Sequence, residues 1–350
     1  MSTGEPLRFD VFMESALYGT RGFYSAGRGA GRRGGDFLTS VEVGPLFGRL
    51  VAVLADRCWE HLGRPERFSV LDAGAGRGTL ARSVLAARPA CARALRYVLV
   101  ERSAALRIEH RPLLERPPGP CAAVESVPDL PAEPFEGLVV ANELLDNLPV
   151  RLLERTADGW AEVCVTAPDA RAVADLAVAL IPAAPELAAR AGALAPDAPV
   201  GGRLPLADAA VAWVGRALGL LRSGRLVVFD YTDATASLAA RHPMEWLRTY
   251  RDGVRGHDPL ASFGSADITC EVPLDQILAA HPGAEVCGQA EFLRRLGIED
   301  LVAEGRATWA ERAAVGDLAA MEARSRIGEA EALCDPTGLG AFTASTWTVA

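Results

Sequence analysis

"VLDAGAGRGTL", residues 70–80, decides how the chain is read. An apolar run ends on Asp72, glycines follow at 74, 76 and 78, and a helical pattern starts at Thr79. A strand that enters a helix through alternating glycines brings its backbone close to a ligand. In an open parallel sheet such ligands lie beyond the carboxyl ends of the strands. At this point the ligand is open among a dinucleotide, a nucleoside triphosphate, S-adenosylmethionine or none.

The spacing narrows that choice. A dinucleotide fingerprint counted from Gly74 needs its third glycine at 79, where Thr79 stands. A GxxxxGK[ST] phosphate loop needs a lysine, and all 36 basic residues are arginine. The same lack of lysine excludes Schiff-base chemistry. The pattern D-x-G-x-G-x-G resembles the first motif of class I S-adenosylmethionine methyltransferases. There Gly74 and Gly76 would approach the methionine part of the cofactor, and Gly78 would permit tight strand–helix packing. "YVLVERS" then ends a second strand on Glu101, 29 residues after Asp72. An acid at that place can accept hydrogen bonds from both ribose hydroxyls of an adenosine. A solvated glutamate at a strand end reads the same way.

Outward from the glycines, strand and helix signals alternate. "FSVLDA" (68–73), "RYVLVE" (96–101), "CAAVES" (121–126), "GLVVAN" (137–142) and "RLVVFDY" (225–231) read as strands. "TLARSVLAA" (79–87) and "SAALRIEHRPLLER" (103–116) read as helices between them. Short apolar strands alternating with helices predict an α/β fold, a parallel sheet covered on both faces. "PLFGRLVAVLADRCWEH" (45–61) predicts a helix with Pro45 in its first turn, and "VRLLERTADGWAEVCV" (150–165) a hairpin. Residues 172–222 read as helical and 237–282 interrupt the pattern. "GAEVCGQA" and "GAFTASTWTV" read as two last strands, with helices over 293–305 and 306–327 between them. Residues 7–33 are mixed and end in a Gly/Arg-rich loop.

Composition sets outer bounds. A chain of 350 residues, half of them apolar, supports one large domain with insertions or two domains. The net charge of −9 argues against a nucleic-acid partner. No 18-residue stretch lacks charge and no apolar leader is visible at the N-terminus, so neither a membrane span nor a secretory signal is expected. Seven scattered cysteines without a CxxC predict reduced thiols, a cytoplasmic setting and no metal.

Beyond these readings, "MESALYGTRGFYS" (13–25), "GDFLTSVEVGPLFGRLVA" (35–52), "VVANELLDNLPV" (139–150), "VVFDYT" (227–232), "ADIT" (266–269) and "QAEFLRRLGI" (289–298) resemble the MidA-like methyltransferases. That group includes the mitochondrial complex I assembly methyltransferase. The resemblance runs through nearly the whole chain. It implies a class I, Rossmann-like fold: a mostly parallel seven-stranded sheet with helices on both faces, plus helical and hairpin insertions. It implies S-adenosylmethionine as cofactor. Its motifs fall on Gly35, Asp36, Phe37, Thr39 and Glu42, on the three glycines and Glu101, and on Asn142, Glu143, Asp146 and Pro149. Two segments depart from the pattern: "DGVRGHDPL" with His257 displaced, and "FDYT", where a glycine often follows the tyrosine. Both bear on the substrate.

The expected organisation is an N-terminal helical or lid segment over 1–60. A cofactor core follows over 61–165, 220–235 and 283–350, with substrate-side insertions over 166–219 and 236–282. The expected cofactor set is Asp36, Thr39, Glu42, Asp72, Gly74, Ala75, Gly76, Gly78, Glu101, Arg102, Ser126 and Asn142. Glu143 and Asp146, after a buried strand, are the expected catalytic carboxylates, suited to orienting a guanidinium. Glu143 reads equally as a helix N-terminal carboxylate and Asp146 as a surface helix residue. Thr39 and Glu42 match a capping box, and Gly34-Gly35 a hinge for a lid. Three functions stay open: methylation of protein arginine, methylation of a small molecule, and cofactor binding without catalysis. A homodimer is also open.

Overall fold

The computed structural model describes residues 6–29, 39–166, 176–256 and 258–350. The chain forms two units. One comprises Leu38–Glu143, Ala217–Asp230 and Ala284–Ala350; the other comprises Met1–Phe37, Leu144–Arg216 and Tyr231–Gly283.

The first unit is built on seven strands: β1 (Phe68–Ala73), β2 (Leu95–Val100), β3 (Ala123–Val127), β4 (Phe135–Asn142), β5 (Leu221–Asp230), β6 (Glu285–Gly288) and β7 (Thr343–Val349). Their order is β6-β7-β5-β4-β1-β2-β3. The pairs from β5 through β4, β1 and β2 to β3 are parallel, while β7 runs antiparallel to both β5 and β6. The sheet is therefore mostly and not wholly parallel. Every residue of β1 is buried, as a continuous apolar run covered on both faces requires. Strand order reverses between β1 and β4, which places the ligand crevice of such a sheet at the carboxyl ends of those two strands.

Helix Pro45–His61 buries Leu46, Phe47, Leu50, Val51, Leu54 and Cys58 in this unit's core. It was expected in a separate N-terminal segment. Its apolar face instead packs beside helix Thr79–Ala86, and Gly48 is what lets it approach: a Cβ there would come within 2.2 Å of the Ser83 Cβ. Its N-terminus is capped from far along the chain. Glu329 accepts the Leu46 N–H at 2.8 Å, and Gly44 leaves room for that carboxylate.

Towards the C-terminus the two expected helices are divided differently. Gln289–Leu296 ends at Gly297, which is left-handed (φ +95°), and Ile298–Arg312 begins there. Gly316 (φ +63°) and the Asp317 cap then start Leu318–Leu333.

The second unit holds the expected hairpin, Arg151–Thr156 with Gly159–Thr166. It extends into an antiparallel sheet with Leu7–Arg8, Arg203–Leu206 and Ala177–Pro182. Two of these strands fall in 172–222, read as helical. Their alanine and leucine content suits helix, but pairing with the hairpin overrides that weak preference. A second sheet joins Leu247–Arg251 to Val254–Gly256 and Asp267–Cys270. Helix Phe9–Tyr18, in the stretch read as mixed, packs Phe9, Phe12, Met13 and Leu17 into this unit's core beside Trp246.

Candidate active site

The glycine loop leaves β1 by folding back on β2. The N–H groups of Gly74 and Ala75 both donate to the Val100 carbonyl, at 2.9 and 3.1 Å. Gly74, Gly76 and Gly78 all have positive φ, +72°, +54° and +77°. A Cβ on Gly78 would lie 2.7 Å from Leu113 Cδ1 and 3.0 Å from Leu99 Cδ2, so this glycine serves close packing. A Cβ on Gly76 would meet nothing nearer than the Gly74 carbonyl oxygen at 4.0 Å. The two glycines thus differ in kind.

Asp72 is buried beneath the loop and accepts the Tyr97 hydroxyl at 3.2 Å. Burial pushes its carboxyl up to about 7. It holds the loop's base and does not face solvent. Glu101 closes β2 and is also buried, which raises its pKa. One carboxylate oxygen accepts the Gly76 N–H at 2.9 Å and the other the Ser103 N–H at 2.6 Å. The Arg102 backbone also hydrogen-bonds this carboxylate. Arg102 is exposed, and its carbonyl accepts from the Arg107 guanidinium. Ser126, near the end of β3, lies 2.8 Å from His110 Nδ1, and His110 Nε2 lies 2.9 Å from the Gly76 carbonyl oxygen. Sequence reading did not single out His110. Its only signal is a histidine on an apolar helical face.

At the end of β4, Glu143 stands at φ +50°, a left-handed conformation that a side chain with a Cβ adopts at a cost of about 1 kcal/mol or more. No helix starts there; a 3-10 turn, Leu145–Asn147, follows. The helix N-terminal reading of Glu143 is thereby removed. Its backbone N–H donates to Phe229 O at 2.8 Å, and its carboxylate accepts the Ser40 N–H at 3.2 Å and Asn142 Nδ2 at 3.1 Å. The Ser40 hydroxyl reaches Gln289 at 3.2 Å. The 39–42 segment and the β4 end are thus brought together.

Thr39 and Glu42 do not form the capping box. Glu42 N–H closes a turn on Thr39 O, and the helix begins later, at Pro45. Asp36, the Gly34-Gly35 hinge and His257 lie outside the described residues. Asp146 belongs to the second unit and is 3% exposed, so it is no surface helix residue. It accepts the Tyr231 hydroxyl, and burial pushes it up to about 6. Asp267, in the same unit, is pushed up to about 8 by burial and by Asp146, and it accepts from Asn147 Nδ2 at 3.0 Å.

In the first unit, Thr39 Oγ1 and Asn142 Oδ1 are buried without a hydrogen-bond partner among the described residues. Such atoms are costly unless a ligand meets them. With the room beside Gly76 and the Glu101 carboxylate, they fit a polar, hydroxyl- and amine-bearing cofactor.

The comparisons say which cofactor. Residues 50–290 match the family described as "Putative S-adenosyl-L-methionine-dependent methyltransferase". The chain belongs to this family. A crystal structure of a Burkholderia thailandensis protein bound to S-adenosylhomocysteine is similar with a TM-score of 0.83 and 32% identity, over 98% of this chain and 88% of that one. Protein arginine methyltransferase NDUFAF7, mitochondrial, of Xenopus tropicalis is 25% identical over 333 residues, 85% of this chain and 73% of that protein. The Drosophila melanogaster homolog is 39% identical over 85 residues, 24% of this chain and 19% of that protein. The methyltransferase uses S-adenosylmethionine, and its fold is the α/β methyltransferase fold that the glycine loop and the resemblance implied.

One expectation is corrected. The cytoplasmic setting does not stand, because the curated relatives are mitochondrial proteins. The cysteines are free, and free thiols do not tell one compartment from another. Among the described residues, no helix is long and apolar enough to cross a membrane.

Proposed function

We propose that this methyltransferase acts on the guanidinium of a protein arginine. The observation that carries the reading is Glu143: a carboxylate at the carboxyl end of β4, next to the switch point, held in a strained left-handed conformation. Strain of this kind persists where the surrounding structure insists on one placement of a side chain. S-adenosylmethionine supplies a methyl group activated on a sulfonium. Glu143 orients the acceptor by paired hydrogen bonds, draws positive charge towards the nitrogens it touches and takes up the proton released when another nitrogen is alkylated. The arginine methyltransferase name borne by the relatives points to the same acceptor.

The cofactor roles are assigned to the loop Gly74–Gly78, to Glu101 at the ribose hydroxyls, and to Asn142 and Thr39 through their unpaired oxygens. Glu42 and Ala75 support the loop and segment that carry them, Asp72 and Ser126 act from beneath, and Arg102 lines the rim. Asp36 keeps its place on the resemblance alone. Asp146 is kept as the second candidate carboxylate on the resemblance alone.

Transfer of labelled methyl to a cell lysate, separated into protein and small-molecule fractions, tests the reading. Label on protein arginine is expected. Label confined to small molecules would replace the protein acceptor with a metabolite.

A further inference from the structure

His110 is completely buried, and each ring nitrogen has a partner. A carbonyl oxygen only accepts, so the nitrogen facing Gly76 O, Nε2, carries the hydrogen. Burial keeps the ring neutral, which leaves Nδ1 bare to accept the Ser126 hydroxyl. The Gly76 carbonyl thereby sets the tautomer, and the Ser126 hydroxyl on β3 holds the ring in place.

The target is the peptide group that matters most for the ligand. Gly76 is fixed at its N–H by Glu101 and at its carbonyl by His110, at 2.9 Å each. Three left-handed glycines in five residues make a loop that is entropically expensive to order. Without both bonds it would sample other conformations, and Glu101, whose carboxylate is aligned by the Gly76 N–H, would lose one of its backbone anchors. We propose that His110 is a positioning residue for cofactor binding: it locks the Gly76 peptide and, through it, the Glu101 carboxylate in the geometry that receives the cofactor. The proposal rests on the assignment of Gly76 and Glu101 to the cofactor site. The competing role is packing alone, since His110 Cδ2 also lies 3.4 Å from where a Gly78 Cβ would stand.

Two substitutions separate these roles. His110→Phe keeps a flat ring in the core but leaves the Gly76 carbonyl without a donor. His110→Gln carries an amide N–H where Nε2–H was. Binding of S-adenosylhomocysteine to the full chain, measured by calorimetry, is expected to weaken about tenfold or more in His110→Phe and to stay within about threefold in His110→Gln, a tenfold loss corresponding to about 1.4 kcal/mol. Wild-type affinity in His110→Phe, or equal losses in both variants, would overturn the proposal. Should His110→Phe not fold, Ser126→Ala carries the test. It removes the hydroxyl that anchors Nδ1 and holds the ring in place, so a severalfold loss of affinity with an unchanged ligand-free melting temperature supports the clamp, and unchanged affinity overturns it. Gly76→Val is the control. Normal binding in that variant would remove the loop from the cofactor site, a failure separate from that of His110.

Discussion

The carboxylate of Glu143 lies 3.2 Å from the backbone nitrogen of Ser40, 103 residues earlier in the chain. This bond ties the segment before helix Pro45–His61 to the carboxyl end of β4 and spends part of the Glu143 charge on a backbone donor. Asn142 Nδ2 shares the same oxygen, Oε1.

Glu143→Gln should therefore separate binding from transfer. The amide can keep its oxygen on Ser40 N–H, so affinity for S-adenosylhomocysteine is expected to change by less than about threefold. Methyl transfer should fall by roughly two orders of magnitude or more, the scale of losing a positioning or base group. A variant that transfers methyl at the normal rate would make Glu143 a structural residue and leave the arginine acceptor without support from the site.

The glycine loop offers a paired test. Gly78→Ala drives a Cβ to 2.7 Å from Leu113 and is expected to cost about 1–3 kcal/mol of stability by overpacking, with more from its φ of +77°. Gly76→Ala meets no such neighbour, so it should melt close to wild type, short of about 1 kcal/mol of backbone strain. It should nonetheless lose S-adenosylhomocysteine affinity, because its methyl group occupies the approach to the ligand. Thermal melts with and without ligand read both quantities. Equal melting losses in the two variants would mean that the glycines serve packing alone.

These contrasts also mark what a sequence can carry. β1, the turn to helix Thr79–Ala86 and Glu101 at the end of β2 were legible, because apolar runs, glycine spacing and strand ends are local signals. Helix Phe9–Tyr18 was legible in principle, with Phe9, Phe12, Met13, Ala16 and Leu17 on one face, but its Gly- and Arg-rich sequel masked it. The break at Gly297 was written in the chain as well. The cap on Leu46 was not, since the Glu329 that supplies it is 283 residues away and replaces the local Thr39–Glu42 pair. Nor was the Ser126–His110–Gly76 relay, which exists only once β3, a helix end and the loop are stacked. Local signals marked the glycine loop; the bonds that hold its shape are long-range.

Glu101 gives a graded prediction. Glu101→Ala removes the acceptor assigned to the ribose and also releases Gly76 N–H and Ser103 N–H. A hydrogen bond to a charged group contributes about 1.5–3 kcal/mol, so loss of one ribose bond alone should lower affinity for S-adenosylhomocysteine by roughly 10- to 100-fold, and loss of both by more. Calorimetry at neutral pH measures this directly, and an unchanged dissociation constant would take Glu101 out of the site.

The buried carboxyls of the second unit make stability depend on pH. Asp267 is pushed up to about 8 by burial first and the neighbouring Asp146 second, with Tyr24 and Asn147 opposing. In the unfolded chain an aspartate titrates near 4, at about 3.9. Between those values the folded state holds a proton that the unfolded state has released, so the slope of stability against pH is negative. The contribution is complete below about pH 4 and is lost as the pH rises to about 8. Asp267→Asn imitates the protonated acid, and its amide oxygen can still accept from Asn147. It should melt like wild type near pH 4 and progressively higher than wild type as the pH rises to about 8, with the difference levelling off above that. Taking the difference between variant and wild type at each pH cancels the parallel titration of Asp72, while Asp146, which interacts with Asp267, contributes to the difference. A difference that does not grow with pH would show that Asp267 is already ionised in the folded protein at low pH, with its charge met by a partner.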